Sequence, residues 1–162
     1  MSSGLLILRL VLGLTMAAHG VQKLFGLQEA ATAFESLGFV PGRRNALLAG
    51  LAEAVGGLML ALGFITPGAA AAVAGVMLVA AVSVHWKNGF FLTKGGYEYT
   101  LVLGLSALSL AFIGPGRLSV DALLGLELDG VRWGIIAVVA ALVGGGIQLA
   151  ARQRPVTSIA DR

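Results

Sequence analysis

The chain has 162 residues, of which 57% are hydrophobic and 12% are charged, and its formal net charge is +3. Its mean hydropathy is +0.92. Soluble domains carry about 25% charged residues, and a small soluble domain has too much surface for its volume to bury so many apolar side chains. The absence of cysteine excludes thiol chemistry and cysteine-ligated clusters. The composition therefore predicts an all-α integral membrane protein.

Five apolar runs approach or reach the roughly 20 residues that a membrane-spanning helix needs. In chain order they are residues 4–27, 46–65, 68–87, 97–114 and 131–151. The turn Thr66-Pro67-Gly68 makes the second and third runs an antiparallel hairpin. Residues 28–38 predict a short helix at the membrane interface.

The fold class that follows is a polytopic membrane helical bundle. We expect residues 1–130 to form a four-helix membrane core with its loops. Residues 131–162 should append a fifth transmembrane helix and a basic cytoplasmic tail.

The basic residues predict the orientation. Five spans place eight of the eleven Lys and Arg residues at one end of the bundle: Lys23, Arg43, Arg44, Lys87, Lys94, Arg152, Arg154 and Arg162. The other end has Arg9, Arg117 and Arg132. Because cytoplasmic loops are enriched in Lys and Arg, the first end should be cytoplasmic, with the N-terminus outside and the C-terminus inside the inner, or plasma, membrane. The positive net charge is thus explained by the basic residues at the cytoplasmic end and does not indicate a nucleic-acid partner.

Ionisable side chains within spans are costly to insert and mark candidate functional sites. Six are present: Arg9, His19, Lys23, Glu53, His85 and Glu98. All except Arg9 are predicted to meet in the basic half of the bundle, within about 12 Å of the interface. Glu53, about 10 Å deep, needs a partner, which would be His19, Lys23 or His85. The alternative is that Lys23 extends to the headgroups and that His85 and Glu98 belong to an interfacial belt.

Arg9 lies in the other half of the first span. We expect it to form a structural ion pair with Asp121 from the polar loop 114–130, with extension to the headgroups as the alternative. The glycines of the spans predict close helix packing rather than a phosphate-binding loop.

Four motifs resemble those of the DoxX family. They are Arg9 with His19-Gly20-x-x-Lys23; Gly50-x-x-Glu53-x-x-Gly56-Gly57-x-x-Leu60-x-Leu62-Gly63; His85 with Gly89-Phe90-Phe91 and Gly96-Tyr97-Glu98-Tyr99; and Gly114-Pro115-Gly116 through Ser119 and Asp121. The resemblance extends over roughly residues 5–124. It implies a four-helix membrane core and a link to respiratory or redox membranes, since the related DoxD type is a subunit of a thiosulfate:quinone oxidoreductase.

We therefore expect a redox-associated membrane subunit that binds a quinone near the cytoplasmic interface and works with a partner redox protein or as a homo-oligomer. His19, Lys23 and His85 are the candidate cofactor-binding residues. Glu53, His19 and Glu98 are the candidate catalytic residues. The alternatives are a non-catalytic membrane anchor or assembly factor, and a small transporter or proton pathway. A metal or haem bound by His19 and His85 is the least favoured reading, and no metal ligands are assigned.

Overall fold

The computed structural model describes residues 2–153, which fold into seven α-helices without a β-strand. The helices are α1 (Ser2–Phe25), α2 (Leu27–Ser36), α3 (Gly42–Leu62), α4 (Thr66–Ala80), α5 (Glu98–Ile113), α6 (Val120–Leu123) and α7 (Gly130–Ala150). A π-helical turn, Ala81–His85, and a 3-10 turn, Trp86–Asn88, extend α4. The predicted helical bundle is confirmed.

Four helices are long and apolar enough to cross a membrane: α1, α3, α4 with its extension, and α7. The helix α5 is shorter than predicted, with 16 residues, or about 24 Å. It begins beside the end of α4, where the Glu98 N–H donates to the Phe90 carbonyl at 2.9 Å. It ends beside the start of α7, as the close approach of Gly114 to the Asp129 side chain shows. The helix α5 therefore connects the two ends of the bundle.

The helices α1 and α3 pack backbone against backbone. A Cβ on Gly13 would lie 2.5 Å from the Gly57 carbonyl, and one on Gly20 would lie 2.5 Å from the Gly50 carbonyl. No side chain fits at such a separation, so these glycines allow the helices to approach closely. The predicted packing role is confirmed for them, whereas Gly146 faces open space.

The helix α4 is central and packs against α3, α5 and α7. Its Gly75 faces the α7 backbone at Ala141 and Gly145. The helix α7 buries Gly134, Ala137, Ala141 and Gly145. The helix that the sequence presents as an addition to the core thus packs directly on α4 and α5. The part of the basic tail from residue 154 onward lies outside the described residues.

Two connections and the end of α7 share one end of the bundle, which we call the basic end. The Gln153 N–H donates to the Gly38 carbonyl at 2.8 Å, so α7 ends beside the loop that follows α2. The same end contains α2 and the turns that follow α4. The turn between α3 and α4 and the start of α7 form the opposite end.

Candidate functional site

The buried acid of α3 has a basic partner on α1. Lys23 Nζ lies 2.6 Å from Glu53 Oε2, and their side chains are 30% and 3% exposed. The expectation that Glu53 is buried with a partner is therefore confirmed, and the partner is Lys23. Glu53 follows Gly42, the first residue of α3, by eleven positions, about 16 Å along the axis. The helix begins four residues before the predicted apolar run, and those four residues include Arg43 and Arg44.

A cavity of about 570 Å³ adjoins this ion pair. Its walls come from α3, α4 and α7, together with Phe34 and Phe39 from α2 and the loop after it. The side chains along the walls are mostly small and apolar. They include Ala49, Ala52, Gly75, Ala140, Gly144 and Gly145. Polar groups reach the cavity from six residues, namely Lys23, Asn45, Glu53, Ser83, His85 and Gln148.

An amide pair lies at the end of the cavity nearest the basic end. Gln148 Nε2 of α7 donates to Asn45 Oδ1 of α3 at 2.8 Å, and Asn45 Nδ2 donates to the Pro41 carbonyl at 2.9 Å. Arg152 donates to the Leu37 carbonyl and lies over the Phe39 ring, 5.9 Å from its centroid. These contacts join α7 to α3 and to the cavity wall formed by Leu37 and Phe39.

Asn45, Ser83 and Gln148 are not among the predicted site residues, because the prediction rested on ionisable side chains alone. All three are uncharged polar residues in or next to apolar runs, and that is the signal that identifies them. Ser83 lies in the π-helical turn, where its Oγ donates to the Val79 carbonyl at 2.6 Å. Turns of this type inside α-helices are frequent at functional sites, and this one forms part of the cavity wall.

His85 and Glu98 both stabilise the loop between α4 and α5. His85 Nδ1 lies 2.7 Å from the Gly95 carbonyl oxygen and must donate to it, since a carbonyl oxygen can only accept. Glu98 Oε2 accepts from the Leu92 N–H at 2.9 Å. His85 also lines the cavity, whereas Glu98 does not.

His19 lies on the outer surface of the bundle. Its ring is exposed and meets Tyr99 edge-on, with 6.3 Å between the centroids. The structure therefore brings Lys23, Glu53 and His85 to one cavity and places His19 and Glu98 outside its lining. The predicted convergence of five residues is wrong for these two, because depth along a helix does not specify which face a residue occupies.

The predicted ion pair at the opposite end is also corrected. Arg9 and Asp121 are both fully buried, but no carboxylate of the described residues lies within 4.0 Å of the Arg9 guanidinium. Asp121 instead accepts from the N–H groups of Ile65 and Thr66 at 2.7 and 3.0 Å, and from Thr66 Oγ1 at 2.7 Å. The carboxylate thereby caps the start of α4, where the helix dipole favours negative charge.

Within residues 2–153, Arg9 makes one hydrogen bond, which its Nη2 donates to the Leu118 carbonyl. Among the described residues, nothing accepts from its Nε or Nη1. Its guanidinium occupies the space that a side chain at Gly63 would need, and the Gly63 carbonyl accepts from the Asp121 N–H at 2.8 Å. Arg9 and Asp121 thus both contact Gly63 but do not form a direct ion pair.

The comparisons identify the family. The DoxX family model matches residues 4–86, which is half of the chain. The chain belongs to the DoxX family. No curated protein and no solved structure matches the sequence.

The DoxX match extends from α1 to Trp86, the first residue of the 3-10 turn after α4. It therefore includes Lys23, Asn45, Glu53, Ser83 and His85. The residues of α7 that complete the cavity lie beyond the match. Within residues 2–153, no three His, Asp or Glu side chains are grouped closely enough to hold a metal ion.

Proposed function

We propose that this DoxX protein is a redox-associated membrane subunit that binds a quinone ring in the cavity beside Lys23 and Glu53. The observation that carries the proposal is an ion pair with a buried carboxylate on the wall of a mostly apolar cavity. Ionisable side chains within a membrane usually face the bundle interior or a cavity, and they often mark substrate pathways and proton relays.

The residues present fit such a ligand. A volume of about 570 Å³ falls within the range of small-molecule sites, which are mostly apolar with a few polar groups that fix orientation. A quinone ring is flat, uncharged and apolar on its faces, and its two carbonyl oxygens need hydrogen-bond donors. The Lys23 ammonium and the Gln148 amide are donors on the cavity wall.

Lys23 and Glu53 act differently on a bound quinone. Lys23 donates to a carbonyl oxygen and offsets negative charge near it. Glu53 holds the ammonium in place and relays protons from solvent to the ring oxygens when the quinone is reduced. A bound quinone supplies the capacity to accept two electrons and two protons. The electrons come from a partner redox protein or from a second complex in the same membrane.

The decisive experiment measures quinone binding by Glu53→Gln, which keeps the side-chain volume and one acceptor oxygen but removes the charge. We expect folded protein to accumulate and to bind a water-soluble benzoquinone at least about tenfold more weakly, which corresponds to about 1.4 kcal/mol. Binding is measured per folded molecule in lipid nanodiscs.

Glu29→Gln is the matched control, since Glu29 is exposed on α2, and it should bind as the parent does. Equal binding by the parent and Glu53→Gln would contradict the proposal. It would instead favour a non-catalytic anchor in which the ion pair only joins α1 to α3.

We also propose that the basic end faces the cytoplasm, with the N-terminus outside. Reporter fusions after residues 40, 92 and 162 should all report the cytoplasm. A periplasmic signal from the two loop fusions would reverse the orientation, and a periplasmic signal from the tail alone would remove one span.

A further inference from the structure

A second, shallower cavity continues the first along α3 and α4. Its volume is about 370 Å³, and the two cavities share the wall residues Ala52 and Ala72. Beyond these, its lining includes Val55, Gly56 and Met59 on α3, and Gly68 and Ala69 on α4. The lining positions recur every three or four residues along each helix, so they form one continuous face. We call this second cavity the α3–α4 groove.

The polar groups of the combined space are confined to one part of it. Every residue that lines the α3–α4 groove is apolar, whereas Lys23, Glu53, Asn45 and Gln148 all line the first cavity. A ligand that matches both parts has a polar head and a hydrocarbon chain. The head lies beside Glu53 and the chain runs towards the opposite end of the bundle.

We infer that the α3–α4 groove holds the first part of the hydrocarbon chain of a lipid-soluble quinone. This inference rests on the proposed function, since the ring of the same molecule would occupy the first cavity. The class of ligand that it specifies is a quinone with an isoprenoid or alkyl side chain, in contrast to a small water-soluble quinone.

The depth of the polar groups favours a quinone over a phospholipid. Glu53 lies seven positions, about 10 Å, beyond Ala46, where the apolar run of α3 begins, and Lys23 reaches it there. A phospholipid would have to bring a charged headgroup to this depth, which is unfavourable within the hydrocarbon region. A quinone ring carries no charge and can enter at any depth.

The groove is short. Ala52 and Met59 are seven positions apart on α3, about 10 Å along the axis. A longer chain would leave the groove and enter the surrounding lipid. Affinity should therefore increase with chain length at first and then become constant once the chain extends past Met59.

The test compares two ligands in four proteins. The ligands are a benzoquinone without a side chain and the same ring with a decyl chain. The proteins are the parent, Gly68→Leu, Val55→Trp and Gly146→Leu, all in nanodiscs of one phospholipid. Gly68 and Val55 line the groove and not the first cavity. A Cβ on Gly68 would meet only Ile65, at 3.3 Å, and one on Gly146 would meet nothing within 4 Å.

The measured quantity in each protein is the dissociation constant of the chainless ring divided by that of the decyl compound. Partition of the decyl compound into lipid is the same in all four samples, so it does not affect the comparison of these ratios. We expect Gly68→Leu and Val55→Trp to lower this ratio by roughly tenfold, which is the effect of displacing about two methylene groups. Gly146→Leu should keep the parental ratio. The chainless ring should bind equally to all four proteins.

A ratio that is the same in all four proteins would overturn the inference and leave the proposed function intact, since the ring would still bind. If neither compound binds the parent, the proposed function and the inference both fail. If decanol binds as tightly as the decyl quinone, the groove is a general lipid site and the assignment of a quinone is wrong.

Discussion

The two ends of the bundle each bury ionisable side chains, but the surroundings of those side chains differ. At the opposite end, Arg9 and Asp121 are fully buried and packed around Gly63. In the basic half, Lys23 and Glu53 form a direct ion pair whose lysine stays 30% exposed beside a cavity. The opposite end is filled by protein atoms, whereas the basic half keeps open space next to its charges.

This difference separates charges that hold the fold from charges that are available to a ligand. Asp121 uses both carboxylate oxygens to fix the start of α4. It accepts from the N–H of Ile65, which adopts a left-handed conformation with φ of 44°, rare for a β-branched residue. Glu53, by contrast, has Lys23 as its one hydrogen-bond partner among the described residues, so part of its acceptor capacity remains free.

The largest effect is expected from Asp121→Asn. An amide offers one acceptor where the carboxylate accepts three hydrogen bonds, and the change also removes the negative charge nearest to Arg9. We expect a loss of about 3–5 kcal/mol of folding free energy, measured as unfolding by denaturant in detergent. Asp129→Asn is the control, because Asp129 is exposed at the same end and its side chain caps nothing. Equal stability of the two variants would show that Asp121 is not the residue that fixes this end.

A matched pair of substitutions, Arg9→Met and Lys23→Met, should reduce stability by less than Asp121→Asn does. The two variants should differ in quinone binding. Arg9→Met removes a fully buried cation and should cost about 2 kcal/mol of stability, without changing quinone binding. Lys23→Met should cost about 1 kcal/mol, because the lysine side chain is 30% exposed, but should weaken quinone binding about tenfold or more. Unfolding and binding are measured on the same nanodisc samples. If both variants changed binding equally, the distinction between the two ends would be lost.

The smallest effect is expected from His19→Phe. Phenylalanine keeps the edge-on contact with Tyr99 and removes the imidazole nitrogens, and surface substitutions usually change stability by less than about 0.5 kcal/mol. Since His19 does not line the cavity, stability and quinone affinity should both match the parent within error. A clear loss of affinity would return His19 to the binding site and would mean that the ligand reaches the α1–α5 surface.

The sequence predicted the features that depend on a single helix. The helical bundle follows from apolar runs, and the burial of Glu53 follows from a carboxylate in the middle of one of them. The family resemblance was visible in motifs such as His19-Gly20-x-x-Lys23. These features depend on local composition and spacing, so they needed no knowledge of how the helices meet.

The features that were missed depend on how helices pack. His19 and Lys23 are one turn apart on α1, yet only Lys23 reaches the cavity, because its long side chain extends to Glu53. The proximity of Arg9 and Asp121 was predicted, but the capping of α4 by Asp121 was not, since its partners Ile65 and Thr66 are more than 50 positions away in sequence. Gln148 was likewise missed, because its place in the cavity wall depends on the contact between α7 and Asn45 of α3.

The contacts made by the end of α7 have a consequence for the order of events during synthesis. Gln148, Arg152 and Gln153 bind Asn45, Leu37 and Gly38 respectively. A ribosome synthesises α1 to α4 well before these residues, so the membrane receives the Lys23–Glu53 pair while one wall of the cavity does not yet exist. During that interval the pair faces lipid or the insertion machinery. Completion of the cavity is thus a late step of biogenesis, reached only when α7 has entered the bilayer and docked.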